Sequence, residues 1–151
     1  MNKINYTFDN YMNDFVEMVY NIEKSNIRYD LVIGVQRGGL IPAVHISNAL
    51  NIPFANLNWS HSRGKVKDCN NPHLIAALTS KQKVLVVDDI CDTGITLDEI
   101  IKTYPDIHTA VLVYNNINVK NITPNYFGWE INRNDTPEWI DFWWEKKWES
   151  Q

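Results

Sequence analysis

Apolar positions along the chain follow two different periods. Over residues 7–24, Phe8, Tyr11, Met12, Phe15, Met18, Val19 and Ile22 recur at i, i+3, i+4 spacing, the stripe of an amphipathic helix. Thr7 or Asp9 offers a side-chain oxygen to cap it. Residues 31–35, 84–87 and 110–114 are instead short, nearly unbroken apolar runs rich in β-branched side chains. Such runs suit parallel strands covered on both faces. A further short strand is predicted over 52–58 and an edge strand over 124–131. Helical segments are predicted between the strands. One spans 40–50, with Pro42 tolerable in its first turn, and a short one spans 72–80. A third spans 95–103, with Leu97, Ile100 and Ile101 inward and Tyr104-Pro105 ending it. Repeated strand–helix units predict an α/β fold: a mostly parallel sheet, helices on both faces and right-handed crossovers.

Polar residues gather where two of these strands end. After 84–87 come Asp88 and Asp89, then Asp92-Thr93-Gly94-Ile95-Thr96 leading into a helix. A helix start collects free backbone N–H groups and the positive end of the helix dipole, which suits a phosphate. Gly94 allows close backbone approach, and Thr93 and Thr96 add hydroxyl donors. After 31–35 comes Gln36-Arg37-Gly38-Gly39, with paired glycines and a cation. Taken alone this turn is as well explained by an ordinary βα connection with a surface arginine as by an anion site. Both turns fall on the edge of a parallel sheet where ligands bind in open α/β folds. Residues 59–71 are polar, with basic residues at 63, 65 and 67, and are expected to form a mobile loop or a solvated connection. His61 within them needs no role beyond the surface.

Composition narrows the field. A length of 151 residues fits one domain with a true core. A net charge of −4 without a basic tract argues against nucleic acid as a partner. Cys69 and Cys91 alone make neither a disulfide framework nor a zinc site, so reduced thiols are expected. No signal-type apolar leader or membrane-length run is present in the sequence. The expectation is a soluble, cytoplasmic protein without a membrane partner. Tryptophans cluster near the C-terminus, where most are expected to plug the core; one left exposed beside a phosphate site would suit stacking on a base.

Residues 84–96, four apolar positions, two acids, two variable positions and Asp-Thr-Gly-x-Thr, resemble the phosphoribosyl pyrophosphate (PRPP) signature of type I phosphoribosyltransferases. Residues 31–43 resemble the pyrophosphate loop of that family. The tail, Tyr126-Phe127-Gly128-Trp129-Glu130-Ile131 followed by Trp139-Ile140-Asp141-Phe142-Trp143-Trp144-Glu145, is similar to the end of bacterial and archaeal xanthine-guanine and hypoxanthine enzymes. The resemblance implies one phosphoribosyltransferase domain over 1–151, built on a mostly parallel five-stranded sheet with a small C-terminal hood. It implies transfer of the 5-phosphoribosyl group from PRPP to a 6-oxopurine base, with release of pyrophosphate. It also implies Mg²⁺ as cofactor and a homo-oligomer, dimer or tetramer. Asp88 and Asp89 would meet the ribose hydroxyls, directly or through Mg²⁺. Asp92, Thr93, Gly94, Ile95 and Thr96 would hold the 5′-phosphate, with Asp92 also acting as base on the purine. Arg37, Gly38 and Gly39 would bind pyrophosphate, with a strained or cis peptide before or at Arg37. Trp139 would stack on the base and the backbone at Ile140 would read it. Two departures stand out. Where 6-oxopurine enzymes place a lysine after the strand at 110–114, this chain has Asn115, whose neutral amide can both donate and accept. Trp143 replaces a proline. These leave another acceptor base, or a non-catalytic PRPP- or nucleotide-sensing module, as alternatives.

Overall fold

A computed structural model of the protein describes residues 1–61 and 66–149; the centre of the expected mobile loop, 62–65, lies outside them. Five strands form one parallel sheet in the order β3-β2-β4-β5-β6: β2 (Leu31–Gln36), β3 (Phe54–Asn58), β4 (Val84–Cys91), β5 (Ile107–Asn115) and β6 (Tyr126–Ile131). The helices are α1 (Phe8–Lys24), α2 (Leu40–Leu50), α3 (Pro72–Thr79) and α4 (Ile95–Thr103). The α/β architecture expected from the alternating periods is the one observed.

Pleating sorts the sheet residues onto two cores. Val32, Leu85, Val87 and Leu112 face α1 and α2, meeting Tyr11, Phe15, Met18 and Ile22 of the predicted helical stripe. Ile33, Val35, Val84 and Val86 face the other way, toward Leu74 of α3 and Ile100 of α4. Thr7 caps α1, its hydroxyl accepting from the Asn10 N–H at 3.2 Å while the Asn10 side chain accepts from the Thr7 N–H at 3.0 Å. That is a reciprocal capping box. Phe8, at the start of the stripe, is 55 % exposed; it turns outward and meets the edge of Trp143.

Three boundaries differ from those the apolar runs suggest. β4 does not stop at 87. It continues through both acids, because Asp88, Ile90 and Cys91 stay in register with Val111, Val113 and Tyr114 of β5. β5 is correspondingly longer than its apolar core. Residues 3–6, which carry no clear pattern, form β1 (Lys3–Tyr6), paired in parallel with β7 (Trp139–Phe142). This two-stranded hood is separate from the main sheet and is followed by a 3-10 turn, Trp143–Glu145. Trp143, in place of the proline, packs edge-on against Phe8 and Tyr11.

The described stem of loop 59–71 is ordered. Trp59 and Lys67 form an antiparallel bridge. Glu99 of α4 gathers three groups from this stem: the Trp59 indole N–H at 3.0 Å, Lys67 Nζ at 2.9 Å and His61 Nε2 at 3.1 Å. Among the described residues no helix is long and apolar enough to cross a membrane.

Candidate active site

β2 and β4 are parallel neighbours, so the turns that leave them emerge side by side on one edge of the sheet. The peptide bond between Gln36 and Arg37 is cis, at the place expected. Arg37 is exposed and Gly39 is buried at the start of α2. Gly94 starts α4 with φ +80°, and its carbonyl accepts the Asp98 N–H at 2.9 Å. Thr93 and Ile95 are exposed there, while Thr96 lines the cavity between the two turns. That cavity measures about 760 Å³ and is walled by Arg37, Gly38, Asp88, Asp89, Thr96 and Trp139, with Glu145 at its rim. The structure therefore brings Arg37, Gly38, Thr96 and the two acids into one space, while Gly39, Asp92, Thr93, Gly94 and Ile95 are not among the residues that line it.

The acids sit at its floor. Asp88 is 8 % exposed, and burial together with the neighbouring Asp89 charge pushes its carboxyl well above the ordinary carboxylate range. Asp89 is pushed up by burial as well. Two crowded carboxyls on a floor open to solvent favour a bound cation. Among the described residues no group of three or more His, Cys, Asp or Glu side chains is placed to hold a metal. Such a donor set suits Mg²⁺, which keeps few protein ligands and takes the rest from water and substrate phosphates. Cys91, at the end of β4, is buried, which pushes its thiol up to about 12.

A second cavity of about 160 Å³ adjoins the first, sharing Asp89, Trp139 and Glu145 with it. Asp92, Arg133 and Ile140 add to its wall. Trp139 is 51 % exposed, a free indole face over the opening. Ile140 is 3 % exposed with its side chain in the core, so only its backbone is left to meet a ligand.

Residues 9–150 match the family described as phosphoribosyl transferase domain. The chain belongs to that family. Among its relatives, xanthine-guanine phosphoribosyltransferase from Cereibacter sphaeroides is 30 % identical over 92 residues, covering 54 % of this chain and 51 % of the relative. Orotate phosphoribosyltransferase from Neisseria meningitidis is 28 % identical over 82 residues, covering 54 % of this chain and 38 % of the relative. These matches span about half the length of the curated relatives, or less. The solved purine phosphoribosyltransferase from Pyrococcus horikoshii superposes over 100 % of this chain and 99 % of its own, with a TM-score of 0.71 and 25 % identity.

Within this phosphoribosyl transferase domain, one expected contact departs from its place. Asn115 is 5 % exposed and turned inward. Its amide donates to the Asp92 carbonyl at 2.9 Å, and its side-chain oxygen accepts from the N–H groups of Ile117 and Arg133, each at 3.3 Å. Asn115 braces the loops around the smaller cavity and is not among the residues lining it. Lys120, the next cation in the sequence, lies against Gly94 and pairs with Asp98 at 3.8 Å, beside the phosphate turn. The cation that reaches the smaller cavity is Arg133. Its Nε donates to Asp92 Oδ1 at 2.8 Å and its Nη2 to Oδ2 at 2.9 Å. Apolar periodicity does not point to it. The available signal is that Arg133 is the only Lys or Arg between Lys120 and Lys146.

Proposed function

We propose that the protein is a phosphoribosyltransferase that transfers the 5-phosphoribosyl group of PRPP to a 6-oxopurine base and releases pyrophosphate. The observation that carries this is the cavity lined by Arg37 and Gly38 of one turn, Thr96 of the other, the Asp88–Asp89 pair and Trp139. PRPP has two anionic ends joined by a ribose, and the cavity has two anion turns joined by two acids. The backbone and hydroxyls of Asp92, Thr93, Gly94, Ile95 and Thr96 hold the 5′-phosphate. Asp88 and Asp89 meet the ribose hydroxyls. Arg37, Gly38 and Gly39 receive the pyrophosphate. Trp139 covers the base, and the Ile140 backbone reads its edge.

In the reaction the bond from ribose C1 to the pyrophosphate oxygen breaks and a bond from C1 to a purine ring nitrogen forms. Positive character builds on the ribose as the leaving group departs, and fixed carboxylates beside it are already oriented to stabilise that charge. Holding base and sugar in line removes the entropic cost of their meeting. Asp88 and Asp89, with the substrate's own oxygens, would hold Mg²⁺, which would supply neutralisation of the pyrophosphate charge. Asp92 lines the smaller cavity, which shares Asp89 and Trp139 with the larger one. Each of its oxygens accepts one hydrogen bond from Arg133 and keeps a lone pair free to take the proton that the purine nitrogen sheds.

The test is a panel of guanine, xanthine, hypoxanthine, adenine, orotate and uracil with PRPP and Mg²⁺, following pyrophosphate and nucleotide. Turnover with at least one 6-oxopurine is expected; no turnover with any base sinks the reading. Asp92→Asn should lower kcat by about 10²- to 10⁴-fold while PRPP still binds. The likeness to orotate phosphoribosyltransferases makes a pyrimidine acceptor the second reading, and the same panel separates the two.

A further inference from the structure

We propose that Arg133 is the specificity-determining cation of the base cavity, reading an acceptor oxygen on the base while fixing the hood that carries Trp139. The proposal rests on the phosphoribosyltransferase reading for the identity of the ligand, but its geometry stands independently.

A guanidinium carries five N–H donors in a rigid planar fork. Four are spent inside the protein. Nε and one Nη2 hydrogen form the parallel fork to Asp92, and the two Nη1 hydrogens go to the carbonyls of Thr136 at 3.1 Å and Glu138 at 2.7 Å. The fifth, on Nη2, has no partner among the described residues, and Arg133 lines the smaller cavity with Asp92 and Trp139. The side chain is 19 % exposed, so this donor works in partly desolvated surroundings. Asn115 closes a ring behind it, accepting from the Arg133 N–H and donating to the Asp92 carbonyl.

Two consequences follow. First, the Asp92–Arg133 pair presents a free donor beside carboxylate lone pairs. The 6-carbonyl oxygen of a 6-oxopurine complements that donor, while Asp92 stays available for the proton that the imidazole side of the ring sheds. The edge of a 6-aminopurine, with an amino donor next to a bare ring nitrogen, offers the opposite pattern and leaves groups unpaired. Second, Glu138 immediately precedes Trp139, so the guanidinium that reads the base also anchors the strand presenting the indole.

The experiment is calorimetric binding of IMP, GMP, AMP and ribose 5-phosphate to the wild-type protein, Arg133→Ala and Arg133→Lys. Wild type should bind IMP and GMP more tightly than AMP. Arg133→Ala should weaken IMP and GMP about 10- to 100-fold, leave ribose 5-phosphate within about threefold and erase the preference over AMP. Arg133→Lys, which keeps the charge but cannot form the fork, should lose about tenfold and serves if the alanine variant does not fold. Equal weakening of IMP and AMP, or unchanged IMP, overturns the proposal. Wild type that discriminates through Arg133 yet turns over no base overturns the catalytic reading and leaves this one standing. Wild type that binds no nucleotide overturns both.

Discussion

Gly38 and Gly39 stand side by side in one turn and answer to different neighbours. A Cβ on Gly39 would fall on the Val87 carbonyl oxygen and lie 2.7 Å from that of Val35 and 2.8 Å from Asp88 Cα. All three are backbone atoms of β2 and β4, and none yields without disturbing the sheet. A Cβ on Gly38 would meet only the Asp89 carboxylate, the end of a side chain that can swing away. Gly39→Ala is therefore expected to lose about 1–3 kcal/mol of stability in urea denaturation. Gly38→Ala should stay within about 0.5 kcal/mol of wild type. Its PRPP affinity should instead fall by about tenfold or more, because Asp89 is displaced from the ribose end. Residue identity is also where the sequence is least sufficient. Asp88, Asp89 and the 92–96 turn are legible because each sits directly after an apolar run. Arg133 lies in a polar stretch with no period, and its fork to Asp92 exists only because β6 ends beside β5. Asn115 has the composition of a ligand-facing residue, yet its surroundings offer three backbone partners that bind it first.

Among the elements, the hood differs most from what periodicity shows. The sheet strands announce themselves through long apolar runs, whereas β1 is four residues with one fully buried side chain, Tyr6. It becomes a strand through β7, its only pairing partner. Tyr6 is 1 % exposed, stacks edge-on against Phe142 at 5.0 Å and donates its hydroxyl to Asp14 of α1 at 2.6 Å. Tyr6→Ala should cost about 3–5 kcal/mol, measured by urea unfolding. Purine nucleotides should bind more weakly than the stability loss alone explains, since β7 carries Trp139. β4 shows the complementary lesson. Its two acids interrupt the apolar run, but backbone pairing to Val111 and Val113 is indifferent to side-chain polarity and carries the strand onward.

For the molecule as a whole, the core that packs against α1 responds to acid through histidines. His45 stacks on Phe15 at 3.6 Å and hydrogen-bonds the Tyr11 hydroxyl; His108 hydrogen-bonds the Tyr29 hydroxyl. Burial holds both below the ordinary histidine range, so they stay neutral in the folded protein at pH values where the unfolded chain takes up protons. The unfolded state then binds more protons, and stability falls as pH drops below about 6.5. Asp88, whose carboxyl burial and the neighbouring Asp89 charge push above the ordinary carboxylate range, contributes a slope of opposite sign. Comparing wild type with a His45→Gln/His108→Gln double variant isolates the histidines. The change in urea midpoint between pH 7.5 and 5.5 should be more favourable to acid in the variant; identical changes contradict the assignment.

The pairing of β1 with β7 has a consequence for how the protein is made. Lys3 lies in register with Trp139 and Tyr6 with Phe142, so the hood joins segments that lie far apart in the sequence. The strands and helices of both cores can assemble as the ribosome advances, each beside a neighbour already present. The wall of the base cavity cannot. Until residue 133 has left the exit tunnel Asp92 lacks its arginine, and until residue 142 has left it β1 has no partner and the indole of Trp139 has no mount. During translation the 37–39 and 92–96 turns emerge before the residues that wall the smaller cavity from β7.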